Sequence, residues 1–118
     1  MMVNSMPAQI ASGVGGIDVI VDSDKTCTAE RVRVNGGYLV RFHGVSTGTV
    51  TFALPEGWRP KEKQKLRFWY ASMESVGAMP RMFGSGSVDV SPSTGSLEFS
   101  ISSYAVIFLD STSYYIPD

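Results

Sequence analysis

The sequence predicts an all-β domain, a sandwich or barrel of roughly eight to ten short antiparallel strands. Three observations carry this expectation. The chain is rich in Gly, Ser, Thr and Val and poor in the Ala, Leu, Glu and Lys that build helices. Turn signals recur about every ten residues. The clearest window, residues 49–54, alternates strictly, with Val50, Phe52 and Leu54 on one face and Thr49, Thr51 and Ala53 on the other. That period of two is the signature of a half-buried strand. No stretch has a helical period, and no internal repeat is visible.

A chain of 118 residues is one domain, and 43% hydrophobic content supports a modest core. A net charge of −1 sets up no field for nucleic acid or an anionic membrane. No apolar run approaches the ~20 residues of a spanning helix, so membrane insertion is not expected. Cys27 is the single cysteine, so no internal disulfide can form. Residues 1–16 have no period of either kind and no signal-peptide pattern. They read as a flexible N-terminal tether, with residues 17–118 as the β domain.

Taken in order, residues 17–21 form a short apolar strand, and Asp22-Ser23-Asp24-Lys25 a turn. Residues 28–34 alternate Ala29, Arg31 and Arg33 against Glu30, Val32 and Val34. Asn35-Gly36-Gly37 is the strongest hairpin signal, predicting a type I′ turn. Residues 38–43 return as the partner strand, and residues 44–48 are expected to turn again. Residues 66–72 alternate Leu66, Phe68 and Tyr70 against Arg67, Trp69 and Ala71. Residues 73–77 read as a loop. Residues 78–83 read as a weak edge strand because Pro80 interrupts them. Gly84-Ser85-Gly86 is expected to turn. Residues 87–91 and 96–100 are short strands flanking the Pro92–Gly95 turn. Residues 104–109 are nearly all apolar, as in a central strand buried on both faces or one covered by another subunit. Residues 111–115 form a last strand, followed by a tail.

The connection after residues 49–54 is the most informative. Pro55 cannot donate to a ladder and ends the pairing. Pro55-Glu56-Gly57 has turn chemistry, and Pro60 holds Arg59 extended. Trp58, between two rigid points, should pack back over the strand ends. This segment, Leu54-Pro55-Glu56-Gly57-Trp58-Arg59-Pro60 between two strands, resembles the C-terminal head domains of bacteriophage and prophage tail or baseplate proteins. The resemblance implies a small jelly-roll-like β-sandwich, a homotrimer, and attachment to a host-surface saccharide. It also implies other tail or baseplate proteins as partners, and a location at the tail tip or baseplate of the virion after synthesis in the host cytoplasm. Leu54, Pro55, Gly57, Trp58, Arg59 and Pro60 are expected to be structural, with Arg59 pairing with a carboxylate or a carbonyl.

No catalytic motif stands beside this. Asp18 to Val21 followed by Asp22-x-Asp24-x-Thr26 resembles the opening of haloacid-dehalogenase-type phosphotransferases. Such an enzyme needs alternating helices and a later acidic pair, which this chain lacks, so an acidic β-turn is the plainer reading. Calcium at Asp22 and Asp24 would want more oxygen ligands than the sequence offers. Gly13-Val14-Gly15-Gly16 has no phosphate-loop spacing. His43 lacks a nucleophile elbow, and one His with one Cys is not a zinc cluster. Glu74, Asp89, Glu98 and Asp110 are the carboxylates a glycosidase would draw on. No cofactor or metal is expected.

The aromatic side chains say more. Trp58, Trp69, Tyr70, Tyr104, Tyr114 and Tyr115 are many for so small a domain. Trp69, sharing a face with Arg67, reads as a sugar-stacking platform, a subunit interface or a core residue. Met73, Met79 and Met82 with Arg81 have the same interface character. The candidate ligand-binding residues are Arg67, Trp69, Tyr70 and Arg81. The leading expectation is a non-enzymatic attachment domain. The alternatives are a trimerisation cap without a ligand and a small glycan-degrading enzyme.

Overall fold

The computed structural model describes residues 11–12, 17–73, 80–101 and 105–118. Among them the fold is all-β, as the alternation and composition predict, with every strand pair antiparallel. The strands are β1 (Ala11–Ser12), β2 (Ile17–Val21), β3 (Cys27–Val34), β4 (Gly37–Thr47) and β5 (Val50–Ala53). They continue with β6 (Gln64–Met73), β7 (Pro80–Val90), β8 (Ser96–Phe99), β9 (Ala105–Phe108) and β10 (Ser113–Pro117). The main sheet runs β1-β2-β3-β4-β9-β6-β7, with β10 also on β4, and a separate ribbon pairs β5 with β8. The tether expected over residues 1–16 lies, apart from β1, outside the described residues.

The core forms where the sheet's inner face meets the β5–β8 ribbon. Val50, Phe52, Leu97 and Phe99 come from the ribbon, and Phe42, Phe68, Ile107 and Tyr114 from the sheet. The rings meet edge to face: Phe42–Phe52 at 5.2 Å, Phe42–Phe99 at 5.3 Å and Phe68–Phe99 at 5.4 Å. This is the geometry that aromatic quadrupoles favour.

Gly44 is the pivot of the sheet. Up to this residue β4 pairs with β3 on one edge and β10 on the other; beyond it, Val45–Thr47 pair with β9. The turn expected at residues 44–48 is therefore absent, and the strand runs on to Thr47. Gly44 adopts φ +120°, open to glycine alone, so the chain bends there without leaving the ladder. Facing it, the chain between β9 and β10 loops out, and Asp110 Oδ1 accepts the Gly44 N–H at 2.9 Å.

Two further expectations are corrected. The Asn35-Gly36 hairpin has two turn residues, but only Gly36 has positive φ (+87°), so it is not a type I′ turn, which needs both. Gly84-Ser85-Gly86 does not turn, because β7 is one strand from Pro80 to Val90. Its glycines lie opposite Tyr70 and Phe68, and a Cβ there would stand 2.7 Å from Tyr70 Oη or 2.6 Å from Phe68 Cζ. The absent side chains make room for the rings of the neighbouring strand. Strand β3, whose facing the alternation alone left open, turns Ala29 and Arg31 inward and leaves Val32 half-buried on the other face. Arg31 can enter because its guanidinium lies 4.5 Å from the Tyr38 ring and 5.6 Å from that of Trp58. It also donates to Asp18 at 2.6 Å and to the Gly57 carbonyl at 3.0 Å.

The acidic turn after β2 is built on Asp22, which is buried. Its carboxylate accepts from Thr26 N at 2.7 Å, Cys27 N at 2.8 Å and Thr26 Oγ1 at 3.1 Å. These bonds hold Lys25 at φ +61°. Asp22→Ala strands two backbone donors and is expected to cost about 2–3 kcal/mol in urea unfolding. Asp24→Ala, with an exposed side chain, should cost almost nothing; equal losses would remove this account of the turn.

Candidate functional site

The loop between β5 and β6 shows what its residue pattern does locally. Glu56–Trp58 close a 3-10 turn. Arg59 Nε and Nη2 both donate to the Leu54 carbonyl, at 3.1 and 2.9 Å, and so tie the loop's two ends together. A Cβ on Gly57 would stand 2.7 Å from Arg31 Nη1, so glycine here admits the guanidinium that bonds the Gly57 carbonyl. Trp58 is 1% exposed, and its carbonyl accepts from the Tyr114 hydroxyl. Burial raises the pKa of that hydroxyl far above its ordinary value.

The opposite face of the sheet is where chemistry is left uncommitted. On β6, Lys65, Arg67 and Trp69 point outward, while Leu66 and Phe68 are buried on the other side. The register places Val45, Phe108, Trp69 and Ser85 side by side across β4, β9, β6 and β7. The next row on this face is Thr47, Val106, Ala71 and Phe83. Trp69 is 56% exposed, Phe83 75% and Val45 48%. Phe108 and Val106 are half-buried and fill the spaces between them. Strand β9 is thus central but buried on one face only. A continuous apolar band crosses four strands, whereas isolated exposed apolar residues are common on any protein surface.

Arg67 adjoins this band two residues before Trp69, about 7 Å away along the strand. Among the described residues its guanidinium makes no hydrogen bond, ion pair or ring contact. Arg31, Arg33, Arg41 and Arg59 are all engaged, with Asp18, Asp118, Glu30 and the Leu54 carbonyl. Ser87 lies across the ladder from Arg67, and Ser85 from Trp69. Of the other two candidates, Tyr70 lies on the inner face, packed against the core and opposite Gly84. It cannot share a surface with Trp69. Arg81 belongs to β7, with its side chain outside the described part of the structure, as are those of Met73 and Met82. Glu74, Met79 and Tyr104 are outside the described residues.

Most of the other candidate groups are held in local contacts. His43 Nε2 lies 3.4 Å from Glu30 Oε1, which also accepts from Arg41 at 2.7 Å. Partial burial opposes ionisation of Glu30, but the hydrogen bond from Arg41 and the nearby His43 outweigh it and hold its carboxyl below the ordinary range. A depressed carboxylate stabilises the fold above its unfolded pKa of 4.5 and loses that contribution as pH falls through the folded value. The deficit of Glu30→Gln, under about 1 kcal/mol at neutral pH, should therefore vanish in acid; a deficit unchanged down to the acid limb would refute the pairing. Cys27 is buried, and desolvation raises its thiol pKa despite the Thr26 hydroxyl beside it. Asp89 lies 3.7 Å from Lys63, Glu98 is exposed on β8, and Asp110 holds the Gly44 N–H. A shallow hollow lined by Lys61, Glu62, Gln64 and Pro117 lies where the approach to β6 meets β10. No residue of the outer band lines it.

The band was only partly readable from the sequence. Period two places Arg67 and Trp69 together, but the contributions of Val45, Phe108 and Phe83 depend on the register of four strands distant in sequence. No protein family, curated protein or solved structure matches this chain.

Proposed function

We propose that this chain is a non-enzymatic head domain of a bacteriophage or prophage tail or baseplate protein, binding a host-surface saccharide through the outer face of β6 and β7. The observation that carries the reading is Trp69, a large aromatic more than half exposed on a rigid sheet, beside an uncommitted arginine and two serines. An indole plane stacks on the C–H face of a pyranose, and the polar neighbours orient its hydroxyls. The Leu54–Pro60 resemblance supplies the tail-head context and the homotrimer that goes with it. In that setting the domain sits at the tail tip or baseplate, beside other tail proteins.

The apolar company of Trp69 favours a second reading, a trimerisation cap in which Val45, Phe83 and Phe108 meet another copy. Sedimentation equilibrium of the wild type and Phe83→Ala, with saccharide titrations of the wild type and Trp69→Ala, separates the two. Attachment predicts saccharide binding that weakens about tenfold or more in Trp69→Ala, with the assembly mass unchanged in Phe83→Ala. A cap predicts no saccharide binding and a trimer that dissociates in Phe83→Ala.

A further inference from the structure

Two observations on the outer face are independent of each other: an exposed indole, and an arginine without a partner among the described residues. Arg31, Arg33, Arg41 and Arg59 each have a carboxylate or a carbonyl. Directly across the ladder from Arg67 is Ser87, and the diagonal carboxylate, Asp89, pairs with Lys63 instead. One step along, Lys65 lies opposite Asp89, which Lys63 also approaches at 3.7 Å. Two lysines thus share the one carboxylate of Asp89, and with Arg67 beside them this face carries positive charge in excess. Resting on the attachment reading, we infer that the saccharide taken by this face carries a carboxylate, as in a uronic acid residue, with its ring on Trp69 and its carboxylate on Arg67.

The chemistry favours this class. The planar guanidinium fork matches a planar carboxylate bidentately, and the positive excess on this face favours an anionic sugar. The ~7 Å between the Cα atoms of Arg67 and Trp69 lets the ring and its substituent engage together. Ser85 and Ser87 present hydroxyls on the same face, one rung across, at about 5 Å. Trp69 is more than half exposed, so affinity should be modest, with Kd on the order of 0.1–1 mM.

The test is a titration of the full chain with an oligogalacturonate and with a neutral oligogalactoside of equal length, followed by amide and indole NMR. The exposed Trp69 indole resonance should shift with the acidic sugar while the buried Trp58 resonance stays. Arg67→Ala should weaken acidic binding about tenfold or more, and Arg67→Lys should recover only part of it. Raising the salt from 0.05 to 0.5 M (an experimental choice, about a threefold change in screening length) should weaken the acidic sugar alone. Equal binding of both sugars, indifferent to Arg67→Ala, overturns the carboxylate inference and leaves the attachment reading intact. Binding of neither sugar overturns the inference together with the attachment reading.

Discussion

Trp58→Ala is expected to lower the melting temperature by about 10–20 °C, from a loss of about 3–5 kcal/mol. Trp58 is among the largest fully buried side chains, and it closes the end of the core beneath the 3-10 turn. Removing the indole opens a cavity whose walls are tied in place. Arg59 is fixed to the Leu54 carbonyl, and Tyr114 to the carbonyl of residue 58 itself. Such a site collapses poorly, which puts the cost at the upper end for aromatic truncation. The same change removes one of the two rings over the Arg31 guanidinium, leaving a partly buried cation less compensated. Trp58→Phe keeps a ring at the site and should recover more than half of the loss. Differential scanning calorimetry decides: a fall of less than about 4 °C in Trp58→Ala would mean that the loop is not an anchor of the core.

Gly44→Ala should be the second large effect, about 3–5 kcal/mol from two additive causes. Backbone at φ +120° is strained for any residue with a Cβ, by about 1–3 kcal/mol. The added Cβ would also stand 2.9 Å from Cys27 Sγ and 3.0 Å from Cys27 Cα, an overpacking cost of about 1–3 kcal/mol. A double-mutant cycle isolates the sulfur contact. Cys27→Ala relieves the contact with sulfur but leaves the dihedral strain and the contacts with Cα and Cβ of residue 27, so Gly44→Ala should cost less in that background and still exceed about 1 kcal/mol. Gly48→Ala is the control. Its φ is +92°, but nothing lies within 4 Å, so only the backbone penalty applies. Equal losses at Gly44 and Gly48 in urea unfolding would eliminate the packing half of the argument.

These two positions mark how far the sequence could be read. Trp58 was legible, since a tryptophan between two prolines at the end of an alternating strand has few places to go except inward. Gly44 was read as a turn residue because glycine beside Val-Ser-Thr-Gly has turn chemistry. The bend is real, but it occurs within a paired strand, a distinction made by β9 and β10 bonding on either side of it. The glycines of β7 were misread for a related reason. In isolation Gly84-Ser85-Gly86 looks like a break, yet opposite Phe68 and Tyr70 it is the space that those rings occupy. Gly57 has a similar explanation, the access of Arg31 to its carbonyl.

The sequence by itself determined the all-β class, most strand positions, the inward set Val50, Phe52, Leu66, Phe68, Leu97 and Phe99, and the pairing of Arg67 with Trp69 on one face. All of these follow from local rules: alternation along a strand, the missing N–H of proline and the turn preferences of glycine. Only the tertiary structure decided that Arg31 turns inward between Tyr38 and Trp58. It alone decided that β4 is shared by successive partners, and that Val45, Phe108, Trp69 and Phe83 form one surface. Those outcomes depend on which strands neighbour each other and in what register. That choice is made by the free energy of closing the whole core, because the side-chain period within any one strand is equally compatible with many partners.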